Sequence, residues 1–534
     1  MNRWLWMLVA LVMLFSATAS FAADEPQRGG TLVVGLGEEP ETLDPHTTTR
    51  FHSYIVLHHI VEPLFTLDED FNVIPWLVED YDWSDDGLTM TLYLKKGIRF
   101  HNGQEMTARD VKASYERFFE LSPIATYMPE SAGGIYAIET PDDYTVVLRF
   151  RTPKPLALYE LADAHMAIMP ADWLDSTPEE DIGIRALVGT GPVKFVEWIP
   201  GDRIATERYE DYSHGPAFAR NKGPAYVDRM VFRIIPEPST LVAELMSGEV
   251  DISFDVPPNA VAALLRNPGV RVETVPTYSA QYMAVNMTRP IFEDIRVRQA
   301  LAHAINKQAI ARAAWHGVGH PISSLLSPAT IGYWPGSEDI EYKYDPERAR
   351  ALLDEAGWRV GPGGIRQKDG QSLELTLITF SNIDQWRRAG EIIQAQLGNI
   401  GIRVNLETAE VGATYDRARA GDFDIGVFRN TWWLGHPYLF FLTHSTNIGS
   451  SNYALWSTPE LDANLETAQN ALDPQERQRA LNEAQRIAIE SAAWVPLVSN
   501  AQILAAKTSV GGVDELMKHP WWPPTLRALE LYKK

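Results

Sequence analysis

The chain has 534 residues, a formal net charge of −23, 45% hydrophobic and 22% charged residues, 16 tryptophans and no cysteine. This balance excludes a disordered tail and a disulfide scaffold, and it makes nucleic acid and anionic lipid surfaces poor partners, because phosphates are bound by clustered Lys and Arg. The length exceeds what one hydrophobic core usually organises, so two or three domains are expected.

At the N-terminus Met1, Asn2 and Arg3 form a short basic start, followed by an unbroken apolar run from Trp4 to Phe15 and the small-residue exit Ser20-Phe21-Ala22. The run is shorter than the roughly 20 residues that span a bilayer, so 1–22 reads as a cleaved export signal. A lipid anchor would need a cysteine at the cleavage point, and there is none. The mature chain is expected to be free in the periplasm.

Gly30–Gly35 reads as a strand and Leu43-Asp44-Pro45 as a turn. Leu88–Leu94 and Tyr144–Leu148 alternate at period two, which predicts antiparallel strands. Between them Thr107-Ala108-Arg109-Asp110 has the spacing of a capped helix start. After Gly189-Thr190-Gly191-Pro192 the pattern changes. A strand from Met230 to Ile235, a helix from Ser239 to Met246 stopped by Gly248, and a strand from Val250 to Val256 make a parallel crossover. The arrangement recurs as strand Leu373–Phe380, a helix from about Gln385 to Leu397, strand Ile402–Leu406, a helix to Ala420 and strand Phe423–Phe428. Two parallel sheets predict two α/β lobes, and the stretch from about 66 to 185 reads as a separate α+β domain.

Ligands of open parallel sheets bind beyond the carboxyl ends of the strands. Here those ends are the loops 381–386 and 430–437, which carry Asn382, Trp386, Trp432, Trp433 and His436. The tryptophans fit either ligand stacking or interdomain core. His58 and His59 ahead of Glu62 match no zinc spacing and read as a helix with a buried histidine. No Gly-x-Ser-x-Gly elbow, His-Glu-x-x-His or P-loop is present, so neither catalysis nor ATP binding is expected. A secreted glycoside hydrolase using acids such as Asp422 and Asp424 is the remote alternative.

Several segments resemble, in order, the peptide/nickel-type bacterial extracellular solute-binding proteins (family 5) that serve ABC importers. They are Gly30–Val34 with Leu43-Asp44-Pro45, Gly97–Gly103 leading into Thr107–Val111, Gly189–Pro192, Asn286 with Phe292–Leu301, and Tyr344-Asp345-Pro346 opening a helix that ends at Ala356-Gly357-Trp358. Read as residues, these pieces are structural: Asp345 is a helix N-cap, Pro346 suits the first helical position and Gly357 the left-handed turn after the last. Arg296 and Arg298 are expected to form ion pairs near the lobe boundary.

The resemblance implies a periplasmic-binding-protein type II-like α/β fold with two lobes and an additional α+β domain. Lobe one would comprise 24–66, 186–286 and 499–534, the extra domain 67–185, and lobe two 287–498. A monomer would close over a peptide, without a cofactor, and deliver it to the permease and ATPase subunits of an inner-membrane importer. The ligand would meet Arg50, Phe51 and His52 in the Thr47–Ser53 loop, and Tyr278 and Tyr282 near the lobe crossing. Peptide binders of the family carry an Asp four residues before a Pro to hold the ligand ammonium. Counting back from Pro437 puts Trp433 there, so the alternatives are that Asp384 takes the role or that the solute is an oligosaccharide, an opine-like compound or an amine conjugate. Arg387 and Arg388 are candidates for a ligand carboxylate, and His436 for a metal or carboxylate.

Overall fold

Two mixed sheets carry the lobes of the computed structural model, which describes residues 26–122, 134–517 and 529–534. The expected signal segment at 1–22 lies outside the described residues. The first sheet has seven strands in the order Val270–Pro276, Ala501–Lys507, Ile252–Ser253, Thr31–Leu36, Arg229–Ile234, Arg203–Arg208, Val193–Ile199. Its centre is Thr31–Leu36, parallel to both neighbours. Leu32, Val34 and Leu36 are fully buried on one face. On the other face Gly35 lets the crossover helix Pro238–Ser247 approach, since a Cβ there would lie 2.5 Å from Leu241. That helix starts with Pro at its first turn, and the Glu237 carboxylate accepts the Thr240 N–H at 2.9 Å. It ends at Gly248 with φ +90, the left-handed conformation glycine adopts without strain.

The second sheet runs His320–Pro321, Trp494–Ser499, Ser279–Val285, Ile425–Thr431, Glu374–Phe380, Arg403–Ala409. Glu374–Phe380 is parallel to both Arg403–Ala409 and Ile425–Thr431, with the helices Asp384–Gly398 and Val411–Ala420 between them in sequence. The expected strand–helix succession is therefore present, and the last two strands each run three residues further at their carboxyl ends than expected.

The chain passes between the sheets twice, at Pro276–Ser279 and at Ser499–Ala501. A lobe boundary at 286 is thereby corrected. Ser279–Val285 ladders onto Ile425–Thr431, because its seven buried residues fill the second core and not the first. Asn500 locks the two crossings together. Its carbonyl accepts the Thr277 N–H at 2.9 Å, and its side-chain oxygen accepts from Gln281 Nε2 at 2.8 Å and Trp315 Nε1 at 2.6 Å.

A separate antiparallel sheet, Val78–Trp83, Thr89–Leu94, Thr145–Phe150, Ile135–Asp142, packs with the helix Ala108–Leu121 around its own core of Met90, Leu92, Val111, Tyr115 and Phe118. At the start of that helix the buried Asp110 accepts the Thr107 N–H at 2.7 Å and the Ala171 N–H at 2.8 Å. This unit is fastened to the first lobe by a buried ion pair, Arg117–Asp44 at 2.6 Å, with Glu179 also 2.5 Å from the guanidinium. Arg117 also donates to His46 Nδ1 at 3.0 Å, which leaves Nε2 to donate to the Ala167 carbonyl at 3.0 Å.

The quoted turn and cap residues do what their types dictate. Gly189 and Gly191 sit against the backbone after the Phe51–Leu57 helix, where a Cβ would lie 2.1 Å from the Ile60 oxygen or 2.4 Å from the His59 oxygen. Asp345 accepts the Arg348 N–H at 2.9 Å, Pro346 opens its helix and Gly357 has φ +89. Arg296 pairs with Asp294 at 2.7 Å. Arg298, in contrast, makes no ion pair among the described residues. It is buried and spends its donors on carbonyls, including Ser491 at 2.8 Å, so both arginines brace lobe two internally.

Candidate functional site

A cleft of about 780 Å³ opens between the two sheets and the extra domain. One wall comes from lobe one: Glu38, Thr49–His52, Tyr54 and His58. The facing wall comes from lobe two: Tyr415, Arg429–Leu434 and Pro437. Tyr278, at the crossing, lines it as well, and a third side is supplied by Phe118, Glu160, Asp163, His165 and Met166.

Of the expected ligand residues, Arg50, Phe51, His52, Tyr278, Trp432 and Trp433 line this cleft. Four others do not. Tyr282 is fully buried with its ring 6.2 Å from Phe428, because its strand lies inside the second sheet. Asn382 is exposed outside the cleft lining. Trp386 points back into the lobe-two core, 3% exposed, edge-on to Phe380 and Trp315. His436 is buried on the inward side of the helix Gly435–Thr443, and burial, followed by the Arg477 charge, lowers it to about 4.

The other arginine and acid candidates are also accounted for. Arg387 pairs with Asp384 at 3.1 Å and Glu391 at 2.5 Å, and Arg388 lies 3.9 Å from Asp384. All three lie outside the cleft lining. Asp422 pairs with Arg417 at 2.9 Å, and Asp424 accepts the Thr376 N–H at 2.8 Å beside Arg289. Neither acid is among the residues that line the cleft. His59 is buried 5.8 Å from Phe232, and Glu62 accepts from Thr190, Tyr212 and His214 at 2.7–2.8 Å. Among the described residues no group of three His, Asp or Glu is arranged to hold a metal.

The polar groups of the cleft divide by wall. On lobe one, His52 Nε2 meets Asp255 at 2.9 Å, with Glu38 3.7 Å from its other nitrogen. Burial pulls this histidine down, but the hydrogen bond and charge of Asp255, with Glu38, outweigh it and the pKa is raised. At the junction with the extra domain Tyr54 gives its hydroxyl proton to the Thr48 carbonyl at 2.8 Å and receives His165 Nε2, while His165 Nδ1 faces Asp163. Burial pushes the Asp163 carboxyl up, yet the His165 charge and hydrogen bond hold it below the usual range. On lobe two, the Arg429 guanidinium lies 5.9 Å above the Trp386 ring, and Trp433 reaches across to Tyr159 of the extra domain, 6.1 Å between ring centres.

One strand at this edge is half open. Ile425–Thr431 pairs with Ser279–Val285 along its whole length, but with Glu374–Phe380 only at Ile425 and Gly426. Val427–Thr431 therefore carries a ladder on one edge alone. The extra-domain side of the cleft was invisible to the sequence reading, because the residues that build it, such as Asp163 and His165, reach the ligand edge only through the docking of a separate sheet.

Among the described residues no helix is long and apolar enough to cross a membrane. The family model for the bacterial extracellular solute-binding proteins, family 5 middle region, matches residues 72–452. The glutathione-binding protein GsiB of Salmonella paratyphi A is 28% identical over 526 residues, 96% of either chain. The heme-binding protein A of Haemophilus influenzae is 29% identical over 501 residues, 89% of this chain and 87% of the relative. The solved structure of HbpA2 from Haemophilus parasuis superposes with a TM-score of 0.82 at 25% identity, over 95% of this chain and all of the other. With the two-lobed cleft and its additional domain, these matches show that the chain belongs to the family 5 bacterial extracellular solute-binding proteins.

Proposed function

We propose that this protein captures short peptides in the cleft and hands them to an ABC importer. The observation that carries the reading is the end of the half-open strand, Arg429–Thr431, which lines a peptide-sized cleft. An extended peptide gains main-chain hydrogen bonds from such an edge whatever its side chains, which gives affinity without sequence selectivity. The 780 Å³ cleft falls in the range of small-molecule sites, about 300–1,000 Å³. Glutathione, the ligand named for the GsiB relative, is itself a tripeptide. Closure of the two lobes about Pro276–Ser279 and Ser499–Ala501, with the extra domain moving with lobe one, would sequester the ligand. The protein is exported by the 1–22 signal, works as a periplasmic monomer and returns its ligand unchanged.

A second reading, a non-peptide solute, is favoured by Trp433 standing where the ammonium-binding acid was expected. A buried ammonium without a carboxylate is costly, whereas the Trp432 and Trp433 rings suit a flat or cyclic ligand. Mass spectrometry of the small molecule that stays with the natively purified protein and is released on denaturation separates the two. Peptides of a few residues are expected; a porphyrin, sugar or amine conjugate would overturn the peptide reading.

A further inference from the structure

The geometry points to Arg429 as the residue that selects a ligand carboxylate at the lobe-two end of the cleft. This inference rests on the reading that the lobes close over a ligand. Arg50, Arg387 and Arg388 each have a carboxylate within 4 Å. Arg429 lines the cleft, is exposed to it, and has no carboxylate at ion-pair distance among the described residues. Its one ring contact, with Trp386 5.9 Å away, holds the guanidinium over a buried indole and leaves its donors open.

Closure would strip water from this group. A guanidinium desolvated without a counter-charge opposes closure, so the closed state needs an anionic oxygen from the ligand, and an ammonium at this end is repelled. The planar fork suits a carboxylate through two parallel hydrogen bonds. The acids of the cleft, Glu38, Glu160 and Asp163, all stand on lobe one and the extra domain, the walls left for a cationic end. Trp386 is then a positioning residue, acting through Arg429.

A peptide C-terminus and a porphyrin propionate offer the same carboxylate. Titration calorimetry would compare trialanine with its C-terminal amide and hemin with its dimethyl ester, on the wild type, Arg429→Gln and Arg429→Lys. The free acid is expected to bind about tenfold to hundredfold more tightly than its neutral derivative, the scale of a hydrogen bond to a charged group. Arg429→Gln should erase that gap and Arg429→Lys should keep part of it. Equal binding of acid and neutral forms by the wild type, or a gap that survives in Arg429→Gln, overturns the assignment while leaving peptide binding intact. If only hemin binds, and loses its preference over the ester in Arg429→Gln, the carboxylate assignment stands and the peptide reading falls. Failure of both free acids to bind overturns both.

Discussion

At the residue scale, buried histidines make the stability of this protein depend on pH. Burial lowers His46 from 6.5 to about 4 and, with the neighbouring His58 charge second, His59 to about 3. His436 falls to about 4. A histidine whose folded pKa lies below its unfolded value binds protons less readily when folded, so it costs nothing above about pH 6.5 and penalises the fold progressively below it. Each contributes a slope of about 1.4 kcal/mol per pH unit within that window. Urea unfolding should therefore show stability falling between pH 6.5 and 4.5, and replacing His59 with Leu should flatten the slope. Arg117→Ala should cost about 3–5 kcal/mol, since it leaves the Asp44 carboxylate buried and unpaired; the same unfolding experiment measures it. The sequence showed Asp44 only as part of a turn. Its partner lies on a helix of another sheet, 73 positions away, and no local pattern announces such a pair.

Among the elements, the close approaches are the most sensitive. Gly191→Ala places a Cβ about 2.4 Å from the His59 carbonyl oxygen, a contact relieved only by moving backbone. A loss of about 1–3 kcal/mol is expected, the scale of overpacking, visible as a lower Tm with the circular dichroism spectrum kept. At the crossing, Asn500→Ala removes the acceptor shared by Gln281 and Trp315. Stability should drop by about 1–3 kcal/mol, and small-angle scattering should show a broader range of lobe openings without ligand. The strands and helices of lobe two were legible because hydrophobic period and capping act within a few residues. Their side-chain destinations were less so. Trp386 and Trp432 both sit at the ligand edge, yet Trp386 lies on the inward face of a helix and Trp432 on a loop. Helix phase relative to the core, set by Phe380 and Trp315, decides which one lines the cleft.

For the whole molecule, the extra domain is expected to move with lobe one, because the Arg117–Asp44 pair and the His46–Ala167 hydrogen bond fasten them. Its contact with lobe two includes the Trp433–Tyr159 ring pair and Ile331, which packs against the extra-domain core. A bound ligand should reduce the radius of gyration and, at a hundredfold excess over Kd, stabilise the fold by about 2.7 kcal/mol; scattering and thermal unfolding read the two effects. The sequence by itself determined the α/β class, the recurrence of parallel strand–helix units, the caps and the glycine turns, since each depends on short-range sterics and periodicity. The strand-end rule marked Trp432 and Trp433 as cleft residues, and the family resemblance marked Arg50, Phe51, His52 and Tyr278. Only the tertiary structure decided that Ser279–Val285 belongs to the second sheet, that Asp163 and His165 complete the cleft, and that Arg429 stands in it without an acid at ion-pair distance among the described residues. Those outcomes depend on which distant surfaces pack together, and burial pattern specifies that a face is covered without specifying by what.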